Sequence, residues 1–205
     1  MSVVDLVGKS TVKRRIAAIA LRKSGAMGDD TCDMLLQALK LEGDHKNWET
    51  NVELLTTIGE LHCSACAEFI LETIIQSNTE LGMIAIEGGR AYVRITRNDL
   101  SDVRSVLSIL EMRRYSSAHG CLNALGYDKM IPSLEDQERI LTTCWKLGAN
   151  RQKGLADPRY GLAAACAGWK APSVRAFLED CLATGDVPLQ YIANASLQNK
   201  YVKLR

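Results

Sequence analysis

The residues best suited to chemistry lie in one pentapeptide, His62-Cys63-Ser64-Ala65-Cys66. An imidazole and two thiols this close are the raw material of a zinc site, or of a thiolate activated by a base. Zinc takes four ligands in paired clusters, and the nearest second candidate, His119-Gly120-Cys121, lies far along the chain. The spacing therefore predicts no metal and casts Cys63 and Cys66 as small residues at a tight helix–helix junction. His45, His62 and His119 are the only histidines, and nothing local pairs any of them with a nucleophile. The chain has no Gly-x-Ser-x-Gly elbow, no Gly-x-x-x-x-Gly-Lys phosphate loop and no Gly-x-Gly-x-x-Gly fingerprint. No catalytic residue and no cofactor is expected.

Composition points the same way. The 205 residues carry 25 Lys+Arg against 24 Asp+Glu, a net charge of +1, so the basic excess that displaces counterions from nucleic acid is missing. Lys13-Arg14-Arg15 and Arg113-Arg114 read as solvated helix faces or turns rather than phosphate contacts. Aromatics are 5% of the chain, so the core must be built from Leu, Ile, Val and Ala, which suits closely approaching helices. Trp48, Trp145 and Trp169 read as packing residues. The seven cysteines, an odd number set mostly in apolar runs, are expected to be reduced core thiols. With no basic-then-apolar leader and no run of roughly 18 to 20 uncharged apolar residues, the expected location is the cytoplasm.

These residues must be carried by helices. Thr11 to Ser24 places Val12, Ile16, Ala17, Ile19, Ala20 and Leu21 in apolar register, with Lys13, Arg14, Arg15, Arg22 and Lys23 for the wet side. A turn over Gly25 to Asp30 leads to a second helix with Leu35, Leu36, Ala38 and Leu39. Trp48, Val52, Leu55, Ile58 and Leu61 share a face, and Cys66, Phe69, Ile70 and Ile74 line the next helix. Asn98-Asp99 reads as a cap for a helix with Val103, Val106, Leu107 and Leu110. Another pair spans Ser116–Gly126 and Ser133–Leu147, with Ser133 and Asp136 in a capping-box pattern. Asp157-Pro158 opens a helix ending at Gly168, and Pro172 opens one that stops at Gly185; the short link predicts an antiparallel pair. Met83 to Ile95 admits two readings: a β-hairpin turning at Gly88-Gly89, or two short helices broken there. The array context favours the helices.

The repeated units resemble HEAT repeats, especially the short subtype of phycobilisome lyases. That subtype carries a Val-Arg-x-x-Ala-x-x-Ala-Leu helix, a glycine turn, an acidic residue and a Leu-rich second helix. The stretch from Val12 to Leu21 with Gly25, Asp29 and Leu35 to Leu39 matches it, as does Arg159 to Gly168 with Val174 and Phe177 to Leu182. Asn51 to Gly59 and His119 to Gly126 are looser copies. The resemblance implies an all-α, right-handed α-solenoid forming one domain over residues 1–205. Its hairpins would fall at about 10–42, 47–77, 81–111, 113–148 and 157–184, with a C-terminal cap at 187–202. The His-Glu pairs of HEAT-like di-iron hydroxylases are absent.

In such a solenoid the second helices line a concave wall. The residues opposite each buried stripe there are Asp33, Gln37, Glu68, Glu72, Arg104, Ser108, Glu111, Glu135, Glu138, Arg139, Arg175 and Glu179. The set leans acidic and suits a protein partner with a basic surface. The function expected is non-catalytic protein binding, as an adaptor or a bacterial immunity protein that neutralises a toxin. The alternatives, a nucleic-acid binder akin to HEAT-like DNA glycosylases and a tetrapyrrole lyase, need a basic face or a reactive cysteine. A solvated face without a partner would look the same.

Overall fold

Several helix ends lie where local signals put them. In the computed structural model, which describes residues 3–43, 47–77, 82–149 and 156–203, the first helix, α1, spans Thr11–Ser24. Ser10 accepts from the Lys13 N–H at its start, and Gly25, at φ +63°, closes it by donating to Leu21 O. Then come α2 (Thr31–Leu41), α3 (Trp48–Glu60), α4 (Ala67–Ile70), α5 (Met83–Thr96) and α6 (Arg104–Glu111). The rest are α7 (Tyr115–Tyr127), α8 (Leu134–Ala149), α9 (Pro158–Ala165), α10 (Ser173–Ala183) and α11 (Val187–Leu197). Among the described residues there is no strand, so the protein is all-α. Asp157 caps α9 through the Arg159 N–H, with Pro158 at the first helical position, and Ser133 accepts from the Asp136 N–H ahead of α8. The Asn98-Asp99 signal is a turn instead: Asp99 accepts from Ser101 and Asp102, and it is Asp102 that accepts from the Arg104 N–H.

Two elements depart from expectation for reasons of packing. Residues 83–95 are neither a hairpin nor two broken helices, because α5 runs unbroken through Gly88-Gly89. A Cβ on Gly88 would sit 2.6 Å from Ile74 Cγ2, and one on Gly89 only 2.2 Å from the Ser117 carbonyl oxygen. The glycines are there so that neighbouring helices can approach, which offsets their poor helix propensity. The segment after Cys63 is composite: a 3-10 turn over Ser64–Cys66, α4, then a π turn over Leu71–Ile75. Widening the helix there brings Ile70, Ile74 and Ile75 together into the core.

The five first helices α1, α3, α5, α7 and α9 pack in succession, each directly on the next. Small residues set the spacing: Gly59 meets Ala91, Gly120 meets the Ile86 carbonyl, and Gly126 meets Ala164 and Ala165. The intervening second helices pack against these, α2 on α3, α4 and α6 on α5, α6 also on α7, and α8 on α9. Although α9 and α10 touch, α10 packs far more closely on α11, which also rests on α9. The core joins both rows continuously from Leu6 to Ala193.

Three residue readings are corrected by this packing. Arg14 is buried, not wet, because Glu42 is buried beside it and accepts from its Nε at 2.8 Å. Trp48 and Trp145 are 50% and 39% exposed, whereas Trp169 is buried as expected and donates to Met130 O. The expected set of seven reduced thiols is also wrong for two of them: Cys32 in α2 and Cys63 form a disulfide, while the other five are free and buried. The pair lies 31 residues apart, one in α2 and one just beyond α3, so only the fold brings the two together. A loop of that length restrains the unfolded chain by between about 3 and 4.7 kcal/mol in the chain-entropy picture. Urea unfolding with and without a thiol reductant is expected to show that loss, and Cys32→Ser should abolish the difference. Equal stability in both conditions would contradict the cross-link.

Candidate functional site

The His62–Cys66 pentapeptide is pulled apart by its surroundings. His62 sits in the left-handed region at φ +54°, with Nδ1 3.0 Å from the Arg94 carbonyl oxygen. The Cys63 sulfur is committed to Cys32, and the Cys66 thiol lies against the Cys32 carbonyl oxygen at 3.8 Å. Burial, helped by Asp33, pushes the Cys66 thiol up to about 12, so it stays protonated at neutral pH. Burial likewise drives the Cys181 thiol up to about 12 and raises those of Cys121, Cys144 and Cys166. His119 is held neutral chiefly by burial, with Nδ1 2.9 Å from the Asp157 carbonyl oxygen. His45 lies outside the described residues. Among the described residues no three His, Cys, Asp or Glu side chains converge as metal ligands would, and no helix is long and apolar enough to cross a membrane.

Charge is arranged differently on the two rows. Along the first helices the arginines pair with carboxylates from helix to helix, while Lys13 and Lys23 of α1 make no ion pair among the described residues. Arg15 pairs with Glu49, and Arg22 reaches Glu53 at 2.8 Å and Glu60 at 3.9 Å. On α5, Arg94 approaches Glu60 at 4.0 Å and holds Asp128 at 2.7 Å, and Arg97 holds the other Asp128 oxygen at 2.7 Å. Arg90 and Arg94 also lie over the Tyr127 ring. This ladder was not legible beforehand, since its partners stand about 30 residues apart on successive helices. Glu87 and Arg90 are paired at 3.2 Å within α5, yet one Glu87 oxygen and Arg90 Nε are enclosed without hydrogen-bond partners among the described residues.

The second helices carry the twelve residues singled out from the sequence, and all are exposed except half-buried Glu138. Some are spoken for: Arg175 with Glu179 at 2.8 Å, Arg104 with Asp102 at 2.7 Å, and Arg139 with Glu111 at 3.9 Å. Glu138 accepts from the Ser173 N–H and so ties α8 to α10. By contrast Asp33, Glu68, Glu72 and Glu135 make no hydrogen bond or ion pair among the described residues, and neither does Asp180, which the stripe pattern overlooked. Between α8 and α10 lies a groove of about 260 Å³ walled by Trp145 and Asp180 over Leu141 and Phe177. The twelve residues thus lie on α2, the α4 segment with its π turn, α6, α8 and α10, and only some are free to meet another molecule.

Compared with known proteins, the chain matches no family model and no curated protein.

Proposed function

We propose that this chain is an α-solenoid of about five HEAT-like hairpins capped by α11, and that it binds another protein without catalysing a reaction. It would act as an adaptor, or as an inhibitor of the kind that neutralises a bacterial toxin. One observation carries the reading. Arg15, Arg22, Arg94 and Arg97 of the first helices pair with carboxylates of neighbouring helices, while the second helices leave Asp33, Glu68, Glu72, Glu135 and Asp180 without an ion pair or hydrogen bond among the described residues. Exposed carboxylates of one sign steer and select a basic partner. The same carboxylates repel phosphate, which weighs against a nucleic-acid ligand, and the buried protonated thiols offer no nucleophile for covalent chromophore transfer.

Affinity capture from the native lysate tests this. The wild-type chain is expected to retain one basic protein at one-to-one stoichiometry, released by raising the salt concentration. A triple variant, Glu68→Lys, Glu72→Lys and Glu135→Lys, should keep its helicity and lose that protein. Retention of the same protein by the variant would overturn the reading.

A further inference from the structure

We propose that the groove between α8 and α10 is an anchor pocket for an arginine side chain of the partner, gripped between the Trp145 indole and the Asp180 carboxylate. The inference deepens the protein-binding reading and rests on it for the identity of the occupant.

The groove's floor is apolar, made by Leu141 and by Phe177, which is 5% exposed. Trp145 stands at its wall, its ring 6.1 Å from that of Phe177 at an interplanar angle of 83°. The two rings thus meet edge to face, and the indole stays 39% exposed beside the groove. Asp180 borders the same space from the last turn of α10, where the helix's unsatisfied carbonyls add negative potential. Its carboxylate has no partner among the described residues. Lys146 also borders the groove but already has an interaction of its own.

An apolar side chain placed here would cover the Asp180 carboxylate without pairing it, a cost that offsets its burial. A lysine would bring one compact, strongly hydrated charge. Arginine satisfies both walls: its planar guanidinium stacks on an aromatic face and meets a carboxylate through two parallel N–H donors. The groove therefore selects for a charge that is flat, cationic and carried on an apolar stem.

The test is a titration of the 15N-labelled protein with N-acetyl-arginine methylamide, following the Trp145 indole N–H resonance assigned through Trp145→Phe. The neutral isostere, N-acetyl-citrulline methylamide, and the leucine equivalent serve as comparisons. The Trp145 signal is expected to shift saturably with arginine, while the buried Trp169 indole stays fixed. Citrulline should bind about fivefold more weakly, and Asp180→Asn should weaken arginine by about the same factor and erase the preference. Binding of citrulline or leucine as tight as that of arginine would overturn the proposal. So would an Asp180→Asn variant with unchanged affinity, or the lack of any saturable shift. Because the probe is a single amino acid, arginine binding without a captured partner would sink only the protein-binding reading, and the converse only the pocket.

Discussion

Gly120→Ala is expected to destabilise the protein by about 3 kcal/mol, a large loss for one methyl group. The added Cβ would sit 1.8 Å from the Ile86 carbonyl oxygen and 2.7 Å from its carbon. These are backbone atoms inside α5, so no side chain can swing aside; α5 and α7 must separate. Gly89 faces α7 in the same way, with its missing Cβ 2.2 Å from Ser117 O, so the two helices are notched into each other. Alanine's better helix propensity returns only about 0.5–1 kcal/mol. At about 2–4 °C per kcal/mol for a chain of this size, thermal unfolding should fall by about 6–12 °C. Gly28→Ala is the control, since its Cβ would meet only Thr31 Oγ1 at 3.8 Å. A Gly120→Ala protein as stable as that control would mean the first helices do not approach so closely.

Asp128→Ala should cost about as much, for an electrostatic reason. Asp128 receives both Nε and Nη2 of Arg94, at 2.9 and 2.7 Å, and Nη1 of Arg97 at 2.7 Å. The Arg94 and Asp128 side chains are 6% and 13% exposed, so deleting the carboxylate strands a buried guanidinium whose nearest other anion is Glu60 at 4.0 Å. Removing one partner of a buried pair costs about 3–5 kcal/mol. The sign of the pH dependence follows. Burial alone would raise the Asp128 pKa, but the hydrogen bonds and charges of Arg94 and Arg97 outweigh it and hold the carboxyl below its ordinary value. A depressed carboxyl contributes its full stability above the unfolded pKa of about 3.9 and loses it as pH falls toward the folded one. Urea unfolding between pH 7 and pH 3 should therefore show the wild type losing its advantage over Asp128→Ala below about pH 4. Parallel curves through that range would rule out the pairing as a source of stability.

Local chemistry explains what was legible in the sequence. The spacing that marked Thr11 to Ser24 gave α1 to the residue, because Ser10 and Gly25 act within a few residues of its ends. Of the apolar residues expected inside, however, Val12, Ile16 and Ala20 are exposed, and the buried face is Arg14, Ala17, Ala18 and Leu21. The Asp157-Pro158 cap and the Ser133–Asp136 turn are equally local. What was hidden depends on neighbours distant in sequence. Gly88-Gly89 looks like a break until Ile74 and Ser117 are seen pressed against it. The Cys32–Cys63 bond needs α2 set against the turn that follows α3, and the Arg22, Arg94 and Arg97 ladder needs the first helices side by side. On the second helices the stripe pattern marked Glu68, Glu72 and Glu135, which are exposed, but it could not tell them from Glu179, which Arg175 occupies. Trp145 and Asp180 escaped because a groove between α8 and α10 has no signature in either helix alone.

The decisive measurement is the calorimetric affinity of the captured basic protein for the wild type and for the Glu68→Lys, Glu72→Lys, Glu135→Lys chain, each at low and high salt. If the unpaired carboxylates of the second-helix row make the contact, reversing three of them should weaken binding at least tenfold and flatten its salt dependence. Equal affinities with the same salt response would place the contact elsewhere and contradict the assignment of that row as the binding face.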